Sequence, residues 1–247
     1  MNENKIKFPP FNSSGILLVD KPTEWTSHDI VGFVRSRFNI DKVGHCGTLD
    51  PAATGLLVIV IGRFTKLSQH LSGDDKTYEA TLILGTETDS MDMDGTITAQ
   101  KDWSNLTEKQ ISDVFNNFMG KQKQLPPMVS AKKVGGKRLY ELARKGKEIE
   151  REAVDITIHS LEISKIRLPY VDFKVTCSKG TYVRALCHDI GKKLSCGGTL
   201  FCLRRTHSGV FDIKHSVTVE QLRSWTQEDL NKKLLDTSDI IASNLKI

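Results

Sequence analysis

The 247-residue chain has no C-x-x-C pair, no apolar run approaching the roughly eighteen residues of a membrane helix, and no internal repeat or low-complexity tract. Each absence excludes a class. The five cysteines, at 46, 177, 187, 196 and 202, are odd in number and lack zinc-site spacing. His188 beside Cys187 is the only extra ligand nearby, so reduced thiols are expected and no metal site. The opening "MNENKIKFPPFNSSG" lacks the apolar centre of a secretory signal, which makes a soluble, cytoplasmic protein the expectation. Walker loops and dinucleotide fingerprints are also missing, and no cofactor is expected.

What is present is an ordinary globular composition, 38% apolar and 26% charged, with a net charge of +5 that is unevenly spread. Residues 121–151 hold ten basic side chains against three acidic ones, so the remainder of the chain is about two units negative. Charge alone leaves open a solvated face or a surface for a polyanion.

Hydrophobic spacing predicts a strand at "GILLVD" (15–20), then a helix capped by Ser27 in which Ile30, Val31, Val34 and Phe38 recur. The continuous apolar run 56–61 reads as an interior strand, and Tyr78, Ala80, Leu82 and Leu84 alternate along another. Thr107 and Gln110 form a capping-box signal ahead of Ile111, Val114, Phe115 and Phe118, with Gly120 as the stop. A long basic excursion follows, with a Pro-Pro break, a Gly-Gly turn and a short helix over Leu139, Leu142 and Ala143. Strands at 156–166, 171–177 and 200–205 surround a helix at about 181–194. Strands outnumber helices and come in adjacent pairs, which predicts an α+β fold with a mixed, largely antiparallel sheet flanked by helices. The expected organisation is a flexible tail (1–14) and one catalytic domain (15–247), including the basic thumb-like excursion (121–151) and a C-terminal helical segment (211–247).

"GHCGTLDPAATG" (44–55) stands directly before the apolar run 56–61. Asp50 either initiates an ordinary Asp-Pro turn or is a carboxylate held rigidly at a strand end for chemistry. Periodicity does not choose between these.

The stretch "GHCGTLDPAATGLL" resembles the catalytic motif of the TruB family of pseudouridine synthases. Further matches follow in order: "GILLVDKP", "DKTYEA", "TETDSMDMDG", "PPMVSAKKVGGKRLYELARKG", "CSKGTYVRAL" and "GGTLFCLRRTHSG", together covering about residues 15–210. The resemblance implies the pseudouridine synthase catalytic fold, tRNA (the T-arm) as partner, and isomerisation of the T-loop uridine by base flipping without a cofactor. It implies Asp50 as the catalytic carboxylate, Arg184 as its cationic partner, and Tyr78 as the tyrosine that stacks on the extruded base. His45 is implied to fill the place the base leaves, Tyr182 and Leu203 to line the pocket, and Lys21 to support the site. Asp89 is implied near the RNA, and Lys132, Lys133, Lys137 and Arg138 on it. Without the resemblance, Arg184 would be assigned to a helix surface, and Tyr182 and Leu203 to core.

"DSMDMDG" does not fit a calcium loop, because the EF-hand register puts Ser90 at the first ligand position and Lys101 at the twelfth, where glutamate is required. Cys46 stands where the family usually has a hydroxyl residue. Too few residues follow the motifs for the PUA domain that many relatives carry, so the basic excursion is expected to do more of the holding, and a monomer is expected. The rival expectations are an RNA-binding protein without turnover, a hydrolase of nucleosides or sugars, and a guide-RNA-dependent synthase. The hydrolase lacks an evident second catalytic carboxylate in the matched motifs.

Overall fold

The computed structural model describes residues 8–128, 133–134, 137–138 and 151–236. The chain forms two compact units, one from residues up to Lys76 together with those from Arg204 onward, the other from Thr77–Leu203.

In the first unit, β1 (Gly15–Lys21) leads to α1 (Ser27–Arg37), and β2 (Val43–Cys46) to β3 (Thr54–Ile61). β1 runs antiparallel along one edge of β3, from Gly15↔Ile61 to Lys21↔Gly55, while β2 takes the other edge, from Val43↔Ile61 to Cys46↔Val58. Side chains of β3 are buried on both faces. Leu57, Ile59 and Ile61 join Leu17 and Val19 against Ile30, Val34 and Phe38 of the α1 region; Leu56, Val58 and Val60 join Ile16 and Leu18 against Phe64 and Leu71, the latter on α2 (Ser68–Leu71). Burial on both faces explains why the run is continuous instead of alternating. Each such aliphatic side chain contributes about 1.5–3 kcal/mol.

Two expectations are corrected here. The cap of α1 is Thr26, not Ser27: Thr26 has extended backbone and exchanges capping-box bonds with Asp29, while Ser27 turns inward. Residues 8–14 are not a loose tail, because Phe8 and Phe11 pack on the first core and Asn39 holds the carbonyl of Phe8 at 2.9 Å.

The second unit begins along β4 (Lys76–Leu84), whose Tyr78, Ala80, Leu82 and Leu84 are buried as the alternation predicts. Next come the hairpin β5 (Thr86–Thr88) and β6 (Ile97–Gln100), then α3 (Glu108–Asn116), with the predicted capping box from Thr107 and Gln110. Phe115 of α3 meets Phe173 edge-on at 5.4 Å. β7 (Gly120–Gln124) is a polar strand that hydrophobic patterning missed. Gly120, with φ +90°, opens it.

The two-residue strands β8 (Lys133–Val134) and β9 (Lys137–Arg138) pair antiparallel on either side of the Gly-Gly dipeptide. The predicted helix over Leu139, Leu142 and Ala143 lies outside the described residues, as does Lys132. β10 (Val154–Arg167) and β11 (Tyr170–Cys177) form a long antiparallel hairpin, α4 (Val183–Lys193) follows, and β12 (Gly198–Ser208) closes the unit with its residues up to Leu203. The strand order is β12–β4–β11–β10–β7.

Back in the first unit, the end of β12 pairs parallel with β3 through Arg204↔Thr54 and Arg205↔Gly55. β13 (Phe211–Asp212) folds back on β12, and β14 (Val217–Thr218) joins β1. The capped helices α5 (Val219–Ser224) and α6 (Gln227–Lys233) add Leu222 and Leu230 to the core, so the expected helical segment also contains strands. The sheet pairings are mostly antiparallel, as expected. Among the described residues no helix is long and apolar enough to cross a membrane.

Candidate active site

Asp50 lies in the loop between β2 and β3, and its neighbours on both sides are pinned. Arg205, 1% exposed, donates from its guanidinium to the carbonyls of Gly47 (3.1 Å) and Leu56 (2.7 Å). Ser27 donates to the Leu49 carbonyl at 3.1 Å and accepts from the Leu49 N–H at 2.9 Å. The Asp50 carbonyl accepts from Ala53 N–H at 3.1 Å, closing the turn, and the Pro51 carbonyl accepts from Glu24 N–H at 3.0 Å. The glycine that ends the motif has a steric reason. Gly55 has φ +101°, and a Cβ there would stand 2.3 Å from the Arg205 carbonyl oxygen.

Lys21 lies under this loop, fully buried. Its ammonium donates to the carbonyls of Pro22 (2.9 Å), Trp25 (2.7 Å) and Pro51 (3.1 Å). Burial pushes its pKa down to about 8, and the Asp50 carboxylate opposes that shift. The unfolded state therefore holds this proton more tightly than the folded state between about pH 8 and 10.5, and the cost of burying the charge is relieved as pH rises through that window. Asp50→Asn removes the opposing charge, so titration of Lys21 followed by NMR is expected to move further below 8 in that variant. A Lys21 that titrates near 10.5 in both proteins would contradict this coupling.

His45, on β2, meets His28 edge-on with 5.3 Å between ring centres. Burial first, and then His28 and Arg205, push its pKa down to about 4, so it is neutral at pH 7. The Cys46 thiol is buried and pushed up to about 11, which opposes reactivity at that position.

Tyr78, Asp89, Tyr182, Arg184 and Leu203 belong to the second unit. Tyr78 is buried on β4, whereas Tyr182 and Leu203 are half-buried instead of core. Arg184 is in the first turn of α4 and only 4% exposed, so the surface assignment its helical position suggests is corrected. Its guanidinium contacts the Asp92 carboxylate at 3.2 Å and donates to the Ser90 carbonyl at 3.1 Å. Asp92 also accepts from Ser90 Oγ and from Asp94 N–H. By contrast Asp89 is exposed, and its carboxylate accepts from Thr96 N–H at 2.9 Å.

The acidic loop thus supplies Arg184 with a partner, Asp92, that sequence reasoning passed over. A buried ion pair broken from one side leaves an uncompensated charge. Arg184→Met is expected to lower unfolding free energy by about 3 kcal/mol, and Arg184→Met with Asp92→Leu to recover most of it, as read by chemical denaturation. Equal stability of the single variant and the parent would contradict the pairing.

The sequence reading did not single out Arg205 and Asp92, and it took Ser27 only as a helix cap. For Arg205 and Asp92 the signal was present only as polar residues inside matched motifs, "LRRTHSG" and "DSMDMDG", with no pattern to say which were buried. Of the basic set, Lys133, Lys137 and Arg138 fall on β8 and β9.

A family model described as TruB family pseudouridylate synthase (N terminal domain) matches residues 35–183, and one described as tRNA pseudouridylate synthase B C-terminal domain matches residues 184–239. A relative named tRNA pseudouridine synthase B from Syntrophotalea carbinolica is 45% identical over 92% of this chain and 74% of its own length. One of the same name from Opitutus terrae is 45% identical over 90% and 92%, and one from Clostridium kluyveri 50% over 85% and 72%.

Among solved structures, a chain of a Cbf5-Nop10-Gar1 complex aligns with TM-score 0.67 and 28% identity over 83% of this chain. A chain of an H/ACA RNP bound to a substrate RNA aligns with TM-score 0.66 and 25% identity over 90%. This chain spans about half the length of those two, 52% and 56%. On the extent of these matches, the chain belongs to the TruB family of pseudouridylate synthases.

Proposed function

We propose that this protein is a tRNA pseudouridine synthase of the stand-alone type, acting as a cytoplasmic monomer on the T-arm and converting the T-loop uridine, position 55 of tRNA, to pseudouridine. The observation that carries the reading is the turn at Asp50, where hydrogen bonds on both sides hold a half-buried carboxylate in one backbone conformation. Relatives named tRNA pseudouridine synthase B, alike over most of both chains, support tRNA as the substrate.

The reaction breaks the bond between uracil N1 and ribose C1′, turns the base within the pocket, and forms a bond from C5 to C1′. The C5 proton is released to solvent, and N1 gains one. No electrons leave or enter overall, so the rearrangement needs no oxidant or reductant, and the protein supplies position, charge and one reactive carboxylate. Asp50 takes the catalytic role, whether it attacks C1′ or removes a sugar proton, and either step requires the ionised form.

Arg184 is assigned as the cation that favours that form when RNA is bound. Tyr78 is the platform for the extruded base; flipping costs a few kcal/mol, and stacking returns about 1–3 kcal/mol. His45, neutral at pH 7, occupies the space the base leaves, and an uncharged ring is the form suited to stacking among bases. Tyr182 and Leu203 line the pocket, Lys21 holds the Asp50 turn, and Asp89 lies near the RNA. Lys132, Lys133, Lys137 and Arg138 contact phosphates, so their removal weakens binding and flattens its salt dependence.

The test is tritium release from C5-labelled uridine in an unmodified tRNA transcript incubated with the isolated chain. Release without any added guide RNA is expected. No release would end the assignment, and release only with a guide RNA would move the protein to the guide-dependent class.

A further inference from the structure

The geometry points to Gln124 as a positioning residue that locks the root of the basic excursion to the helix end carrying Arg184, an inference that rests on the synthase reading above. Gln124 closes β7 and pairs with Val154 of β10, so both ends of the excursion leave from this point of the sheet. Arg151 ties the same root from the other side, donating to the Pro126 carbonyl at 2.8 Å.

Gln124 is only 3% exposed, and its side chain does not continue the strand's own bonding. It turns to Tyr182 and satisfies both backbone groups of that residue. Gln124 Oε1 accepts from Tyr182 N–H at 2.8 Å, and Gln124 Nε2 donates to the Tyr182 carbonyl at 3.1 Å. The orientation of the amide is fixed by this pairing, since a backbone N–H only donates and a carbonyl only accepts.

Tyr182 is the residue at which α4 begins, with extended backbone (φ −102°, ψ 108°) and no side-chain cap of its own. Its carbonyl also receives the first helical bond, from Leu186 N–H at 3.1 Å. The Gln124 amide therefore bonds the N–H at the helix start, as the N3 side chain does in a capping box, and by holding both backbone groups of Tyr182 it fixes the residue from which the first turn is aimed. Arg184 lies two residues further, in that turn, with its guanidinium on Asp92 and the Ser90 carbonyl.

No other side chain of similar length supplies one donor and one acceptor in a single plane. Glutamate would set an anionic oxygen against the Tyr182 carbonyl, and methionine would take the side-chain oxygen acceptor from the half-buried Tyr182 N–H. The expected consequence is a shift of the Arg184 side chain with little change in grip on RNA, because the amide is buried and faces Tyr182. Displacement of a reacting group by about 1 Å can cost about a hundredfold in rate.

The test uses the full chain and an unmodified tRNA transcript. Under single-turnover conditions at saturating enzyme, Gln124→Met is expected to release tritium about tenfold to a hundredfold more slowly than the parent, with tRNA affinity within about threefold. Exchange of the Tyr182 amide proton is expected to be slow in the parent and faster in the variant. An Arg184→Lys background should absorb the effect, so that the double variant is no slower than Arg184→Lys alone.

A saturated rate equal to the parent's would overturn the inference, and so would a defect confined to affinity or an amide proton indifferent to the substitution. Should Gln124→Met fold poorly, the Tyr182 exchange measured in Gln124→Ala, which also removes the acceptor, decides in the same way. An inactive parent would instead overturn the synthase reading, and the amide exchange would still report on the Gln124 clamp.

Discussion

Asp50→Asn is expected to lower the single-turnover rate of pseudouridine formation by about 10⁴-fold or more, with tRNA affinity close to the parent's. The substitution preserves shape and one hydrogen-bond acceptor but removes the charge that either chemical role requires. The fold should survive because the turn is also fixed by backbone groups and by Lys21, Ser27 and Arg205, with stability lowered only as far as the buried Lys21 ammonium loses its compensating charge. Retention of more than a tenth of the parent rate would remove Asp50 from the chemistry and favour a protein that binds RNA without turnover.

Gly55→Ala should be the most damaging single methyl in the first unit. The position has φ +101°, a region that L side chains rarely adopt, and the new Cβ would meet the Arg205 carbonyl oxygen at 2.3 Å and its nitrogen at 2.7 Å. Both are backbone atoms of a paired strand, so relief requires β3 and β12 to separate where Arg205 holds the Asp50 loop. A loss of about 5 kcal/mol or more is expected, enough to consume much of a typical domain's stability. Gly44→Ala is the contrasting control: its Cβ would meet only a Val60 side-chain methyl, at 3.3 Å. Urea unfolding of both variants is the measurement, and a Gly55→Ala protein as stable as Gly44→Ala would refute the close approach.

Local signals in the sequence were read correctly where the physics is local. The Thr107–Gln110 box depends only on residues three apart, and the alternation along β4 only on a period of two. The apolar run of β3 was recognised as interior because burial on both faces leaves no polar alternation. Thr26 was missed as a cap because Ser27 beside it has an equally suitable hydroxyl, and what separates them is the bond from Ser27 to Leu49, 22 residues away.

β7 escaped notice for a related reason. Its "GKQKQ" sequence carries no hydrophobic period, and its strand state comes from pairing with β10.

The candidate site divides along the same line. Asp50 was visible because an Asp-Pro turn is short-range chemistry and the motif around it is distinctive, although the partners that pin the turn, Lys21, Ser27 and Arg205, are distant in sequence. Arg205, Asp92 and Gln124 were not, since each acts through a partner more than fifty residues distant: Gly47 and Leu56 for Arg205, Arg184 for Asp92, Tyr182 for Gln124. A buried arginine or glutamine has the same letter as a solvated one, and only tertiary structure tells them apart.

The central claim is that a carboxylate on a stiff turn isomerises one uridine of the tRNA T-loop. Mapping pseudouridine at nucleotide resolution, after an unmodified tRNA transcript has reacted with the isolated chain, tests it most directly. The account predicts a single new pseudouridine, at the T-loop uridine, and none with Asp50→Asn. Pseudouridine elsewhere in the transcript, none at all with the parent, or an unchanged signal with the variant would contradict it.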